Sequence, residues 1–181
     1  KIGVVKATAG YTVFGDGETT KYVETAVDSG KYRADSTKEV DDNKVWNVGV
    51  AFDLAKDLEF SANYLKATDY SDDGFAKISD MGDDGYVLGL NYKGAKSSKE
   101  GTWGLYAKYY DQDRPTVVAH TMNGEYGITG FKGYMVGANY TFAKNIVGAV
   151  EYYDLDGKDI GNKETKGKDM NTLWAQLVLT F

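Results

Sequence analysis

The chain has no cysteine and only one proline and one histidine (Pro115, His120), and none of its apolar runs is long enough to form a membrane helix. Without cysteine there is no disulfide framework and no thiolate chemistry. A single histidine removes most catalytic constellations. A hydrolase triad would need His120 beside a serine and a carboxylate, with Asp111, Asp113 and Thr121 nearby, and the plainer reading is a solvated or loop-packing residue. We therefore expect no enzyme. A formal charge of -6 argues against nucleic acid as a partner. No phosphate-binding glycine loop occurs, and no cofactor or metal is expected. The Asp-Asp-Gly runs at 72–74 and 83–85 carry oxygen ligands suited to Ca²⁺ but lack the spacing of a dedicated loop, so they read as turn formers. The Asn139-Tyr-Thr141 sequon falls inside a strand pattern and is discounted. No basic leader opens the chain, and Lys1 already stands where a strand begins, which leads us to expect a processed protein or a fragment.

What the chain has in quantity is tyrosine (15) and glycine (22), with 14% aromatics overall. Tyrosine and glycine enrichment with almost no proline suits long, uninterrupted strands. Mean hydropathy is -0.47, soluble by bulk measure, but alternation averages hydropathy away. The last stretch shows it best. In 171–181, Leu173, Ala175, Leu177, Leu179 and Phe181 share one phase, and Thr172, Trp174, Gln176, Val178 and Thr180 share the other. Similar period-two segments begin at residues 1–14 and 44–54. Others follow near 58–64, 86–93, 103–110, 133–142 and 146–153. The connections alternate long (15–43, 70–84, 112–130, 155–170) with short (55–57, 94–101, 143–145). Eight strands in one domain, 1–181, joined in this way predict an all-β, transmembrane antiparallel barrel with short turns at one end and long loops at the other. Part of 15–43 is expected to extend as a hairpin above it.

Alternation alone does not say which face meets lipid. Near the long loops the apolar phase carries Tyr11, Trp46, Tyr64, Tyr86, Tyr109, Tyr134 and Tyr152. Near the short turns it carries Phe52, Phe60, Tyr92, Trp103, Tyr140, Phe142 and Phe181. Aliphatic residues such as Val48, Leu90 and Val136 lie between. Two aromatic belts around an aliphatic band match what a bilayer selects. Charges enter this phase only beside the long loops, as at Lys44, Lys66, Asp84, Asp111, Lys132 and Asp154. A soluble lipocalin-like barrel would turn the same phase inward and cover its exterior densely with lysine and glutamate.

The polar phase then lines a lumen, with Lys6, Asn47, Glu59, Asn63, Asn91, Tyr106, Lys108, Tyr110, Asn139, Glu151 and Gln176 as pore-lining residues. With Asp53 and Lys93 near the turns, its charges number three of each sign, so strong ion selectivity is not expected. The loop 112–130, with Arg114 and His120, is the candidate constriction; replacing either residue by Ala is expected to alter single-channel conductance.

The segments Trp103–Tyr110, Val118–Gly124, Gly130–Asn145, Glu151–Leu155 and Thr172–Phe181 together resemble the C-terminal end of the OmpM-type porins of diderm Firmicutes. The resemblance is strongest over 100–181. It implies an outer-membrane location in a Gram-negative-type envelope, a homotrimer, passive diffusion of small hydrophilic solutes, and eight strands that form the second half of a 16-stranded pore. The family's S-layer-homology and coiled-coil segments have no counterpart in this sequence, so envelope tethering does not carry over. Strand physics leaves the barrel's size open: eight strands can close alone around a filled interior, as a structural or adhesive barrel without a pore, whereas sixteen leave a channel. The many small residues of the polar phase (Gly49, Gly89, Gly104, Gly133, Gly137) favour the larger pore.

Overall fold

A computed structural model describes residues 5–14, 17–23, 33–40, 43–68, 82–117, 130–158 and 169–181. Its strands are β1 (Lys6–Phe14), β2 (Gly17–Val23), β3 (Arg33–Val40), β4 (Asn43–Ala55), β5 (Leu58–Thr68), β6 (Asp84–Lys93), β7 (Trp103–Gln112), β8 (Phe131–Ala143), β9 (Ile146–Gly157) and β10 (Asp169–Leu179). Eight of them form one antiparallel sheet in the order β1-β4-β5-β6-β7-β8-β9-β10, and β2 pairs with β3 as a separate hairpin. Each sheet strand lies beside the next in sequence once that hairpin is set aside, as in an up-and-down meander. No ladder joins β10 to β1 among the described residues, so the sheet has two free edges.

The short turns explain the tight hairpins. Asp57 and Asn145 take positive φ (62° and 67°), and the ladders slip by one residue at Asp53/Ala55 and Thr141/Ala143. This is the geometry of a hairpin turn that ends in a left-handed residue and a bulge, and Asn and Asp tolerate that conformation best after Gly. Gly133, at φ 147°, needs to be glycine for a second reason: a Cβ there would strike the backbone of Asp154 and Leu155.

The two phases separate cleanly. Every large apolar side chain exposed on the eight sheet strands lies in the phase that contains Trp46, Val48 and Val50, except Trp174 and Val178 on β10. We call this the outer face. The opposite, inner face carries the buried cluster Val45, Leu65, Ala67, Val87, Tyr110, Phe131, Met135, Tyr153 and Leu155. A soluble sheet would bury the richer apolar face; this one buries the poorer.

Aromatic rings on the outer face follow two oblique lines. Tyr11 pairs directly with Trp46; Tyr64 and Tyr86 pair two residues nearer the short turns; Tyr109 and Tyr134 lie two further; and Tyr152 lies two beyond those. Phe52–Phe60, then Tyr92, then Trp103–Tyr140, then Phe142 drift the same way. Rings within each line touch, with centroids 4.4 Å apart for Tyr11–Trp46, 5.2 Å for Tyr64–Tyr86 and 5.4 Å for Phe52–Phe60. A drift of one residue per strand, with a rise of about 3.3 Å and a strand spacing of about 4.8 Å, sets the lines roughly 35° from the hydrogen-bond direction. If the rings mark a plane, the strands are tilted by that angle from its normal.

Candidate functional site: the inner face

All eleven polar-phase residues expected to line a lumen lie on the inner face, but their surroundings differ. At the long-loop end the face is buried. The chain leaves β7 through a single 3-10 turn, Arg114–Thr116, which folds back over β4, β5 and β6 and buries Pro115 and Thr116. Asp113 is the hub of that fold. Its amide donates to the Asp84 carbonyl (2.8 Å), and its carboxylate accepts from the Asp84 amide (3.2 Å) and from Lys158 Nζ (2.7 Å). Its carbonyl accepts from the Thr116 amide (2.9 Å) and hydroxyl (2.8 Å). Gln112 Nε2 donates to the Thr116 carbonyl at 3.0 Å. Lys158 also bridges Asp111. Burial works against the Lys158 ammonium, yet hydrogen bonds to the two carboxylates outweigh it and hold its pKa above the ordinary lysine value.

Beneath this turn Tyr110 is 0% exposed and edge-on to Phe131, and Glu151, at 5%, accepts from Tyr106 Oη (2.8 Å) and Tyr153 Oη (2.5 Å). Neither Tyr110 nor Glu151 faces open space. Tyr106 reaches the carboxylate by lying across Gly137, where a Cβ would meet its ring. Toward the short turns the face is polar. Asn139 Oδ1 accepts from the Ala95 amide (2.9 Å), and Thr141 Oγ1 donates to the Lys96 carbonyl (3.1 Å), so the 94–102 connection folds against the inner side of β8.

The remaining inner residues are half-buried or exposed. Lys6 donates to Glu59 Oε2 at 2.7 Å, and Asn91 is in register with Glu59. Asn47 lies over Gly10 and Asn63 over Gly49. Lys108 is half-buried, and Gln176 is exposed on the edge strand. The inner side chains open to solvent thus concentrate on β1 and β10.

Lys93 departs from the sequence reading. At φ 58° its ammonium swings to the outer face and sits over Tyr92 and Trp103, 5.2 and 4.3 Å from the ring centroids. The inner strands therefore carry Lys6 and Lys108 against Asp53, Glu59 and Glu151, not three charges of each sign. In the sequence only the neighbouring Gly94, which opens the turn, bore on this reversal.

The aromatics expected at an interface lie on the outer face: Trp46, Tyr64, Tyr86, Trp103, Tyr134, Tyr140, Phe142 and Tyr152 in strands, and Phe181 just past β10. Several hydroxyls on the long-loop side have partners. Tyr64 donates to Asp84 (2.5 Å), Tyr134 to Asp154 (2.9 Å) and Tyr152 to Asn171 (3.3 Å), while Lys66 bridges Asp83 (2.6 Å) and Asp84 (3.1 Å). Arg114 opens the 3-10 turn, and His120 lies outside the described residues. So do the Asp-Asp-Gly run at 72–74, residues 15–16, 24–32 and 41–42 of the first long loop, and residues 159–168 of the last. Among the described residues no group of three or more His, Cys, Asp or Glu could hold a metal.

The class that this geometry defines is an all-β chain built on an eight-stranded antiparallel meander with an exposed apolar face. No family model matches the sequence, and no curated protein matches it significantly.

Proposed function

We propose that the sheet is wall from an outer-membrane β-barrel that passes small hydrophilic solutes by diffusion, with no chemical step. The observation that carries the reading is the outer face, where exposed aliphatic side chains lie between two slanted aromatic lines. Their slope corresponds to the tilt of roughly 35–45° found in such barrels. The lines stand six residues apart on β4, β6, β7 and β8 (Trp46–Phe52, Tyr86–Tyr92, Trp103–Tyr109, Tyr134–Tyr140) and four apart on β5, with Phe142 two residues further along β8. Six residues are about 20 Å along the strand and about 16 Å across a tilted wall, or about 22 Å measured to Phe142, so both lines fall within or at the border of the apolar band of about 25 Å in outer-membrane barrels. Hydroxyl and carboxylate partners gather at the long-loop line, where headgroups and water would solvate them.

A channel would run along β1 and β10, since the inner side of β4–β9 is filled near the long loops. The resemblance to OmpM-type porins supports a trimer of larger barrels in which these strands are one half. The filled cluster favours a second reading, a closed eight-stranded barrel plugged by Tyr110, Phe131, Met135 and their neighbours. Reconstitution into planar bilayers separates the two. Stepwise, ohmic conductance is the expected result. A protein that inserts and folds but stays silent overturns the porin reading in favour of the plug.

A further inference from the structure

Trp174 breaks the rule that governs every other tryptophan here. Trp46 and Trp103 point outward, whereas Trp174 sits on the inner face of β10, in register with Glu151, and is 39% exposed. Among the described residues its neighbours on this face are polar and uncharged, apart from Glu151. Thr172 and Gln176 flank it two residues away on the same face, about 7 Å along the strand. Gln176 faces the small Ala149, and beyond Ala149 stands Asn139, whose amide oxygen accepts from the Ala95 amide. Among the described residues the carboxylate in register with Trp174, Glu151, is buried and already accepts two tyrosine hydroxyls.

We infer that Trp174, with Thr172 and Gln176, forms a carbohydrate-binding subsite on the channel wall. An indole face bordered by hydroxyl and amide groups matches a sugar ring, whose axial C–H groups pack on the aromatic plane while its hydroxyls exchange hydrogen bonds at the edge. A cationic solute would also stack on indole, but it would want an available carboxylate beside the ring, and Glu151 is engaged elsewhere. The inference rests on the proposed solute channel and names its substrate class.

The test uses the full chain with Trp46→Phe and Trp103→Phe, so that emission comes from Trp174 alone, reconstituted in liposomes and titrated with maltotriose. The expected result is an indole quenchable by iodide before sugar is added and protected by it, with saturable change in emission. Choline chloride at the same concentration should leave the emission unchanged. In planar bilayers of the native chain, maltotriose should reduce the current, and Trp174→Ala should raise the half-blocking concentration about tenfold, with Trp174→Phe in between. An indole shielded from iodide and unresponsive to sugar overturns the subsite, because the ring is then covered by protein. A response to choline but not to maltotriose overturns it in favour of a cation site. Conductance without any sugar block sinks the subsite and leaves the porin reading standing. Sugar-dependent emission without conductance supports the subsite and sinks the porin reading.

Discussion

Two valines on the outer face offer a test in which water and bilayer predict opposite outcomes. Val13 and Val48 are almost equally open, at 49% and 54% exposure. Val13 pairs with the native Lys44, beyond the long-loop aromatic line, whereas Val48 lies between Trp46 and Phe52. In an aqueous protein Val13→Lys and Val48→Lys are both surface changes, each within about 1 kcal/mol once the weaker strand propensity of lysine is counted. In a bilayer, depth decides. Lysine near the interface costs about 0–1 kcal/mol, but lysine near the midplane costs about 2–4 kcal/mol. The difference between the two variants should therefore be about 2–3 kcal/mol, a factor of about 30 or more in the folding equilibrium. Urea titration of folding into phosphatidylcholine vesicles, followed by tryptophan emission, measures it. Equal stability for the two variants, or cooperative folding of the wild type in detergent-free buffer with both lysines tolerated, would refute the outward assignment of this face.

Further predictions follow from the inner face. Tyr110 is buried and its hydroxyl has no hydrogen-bond partner, so Tyr110→Phe should leave stability unchanged or raise it by up to about 1 kcal/mol, whereas Tyr110→Ala should cost about 3–5 kcal/mol; denaturant midpoints decide both. Gly133→Ala should destabilise by more than about 1 kcal/mol, because the residue combines φ 147° with a backbone clash at Asp154, and a smaller loss by the same titration would count against that geometry. Lys158 has a pKa raised in the folded state above 10.5, so its contribution is intact below that pH and is lost as the pH climbs through the raised value. Opening of the 112–117 turn, read by proteolysis or by the current, should appear only in that alkaline window. Lys158→Met should produce the same opening at neutral pH, for a loss of about 1 kcal/mol.

Strands, phases and both aromatic lines were legible because each rests on period-two alternation, which the backbone imposes directly. Observed strands extend past the sequence estimate mainly toward the long loops, as in β9, which continues from Tyr153 to Gly157. There polar residues such as Asp154 and Asp156 still pair with β10, although their hydropathy no longer marks a strand. The inner face was legible as a list of residues but not as surroundings. Nothing in the spacing of Tyr110, Met135 and Tyr153 says that they pack together, since they lie on different strands and meet only through register. Nor does the sequence reveal that Asp113 anchors its turn through Asp84 and Lys158, because each contact bridges residues far apart in the chain. Trp174 was visible in the polar phase of the last strand, where alternation alone gives no reason for a large aromatic.

The free edges connect the medium to the size of the barrel. β10 presents about half of the backbone N–H and C=O groups of its eleven residues to an open edge, and β1 does likewise. Water would solvate those groups, but in hydrocarbon each costs several kcal/mol, so the environment proposed for the outer face also forbids the sheet to end at these strands. On the proposed membrane reading, closure would come from β1 against β10 or from further strands set between them. The two solutions differ at Trp174. Eight strands leave an interior just wide enough to be filled by side chains, which would press Trp174 against neighbours such as Glu151 and Tyr106, on its own level of the sheet, and hide it from solvent. A barrel of about sixteen strands keeps the opposite wall out of reach, and the indole stays wet. Iodide quenching of Trp174 in the assembled protein therefore gauges the strand number, and a fully shielded indole would select the small, plugged barrel over the channel.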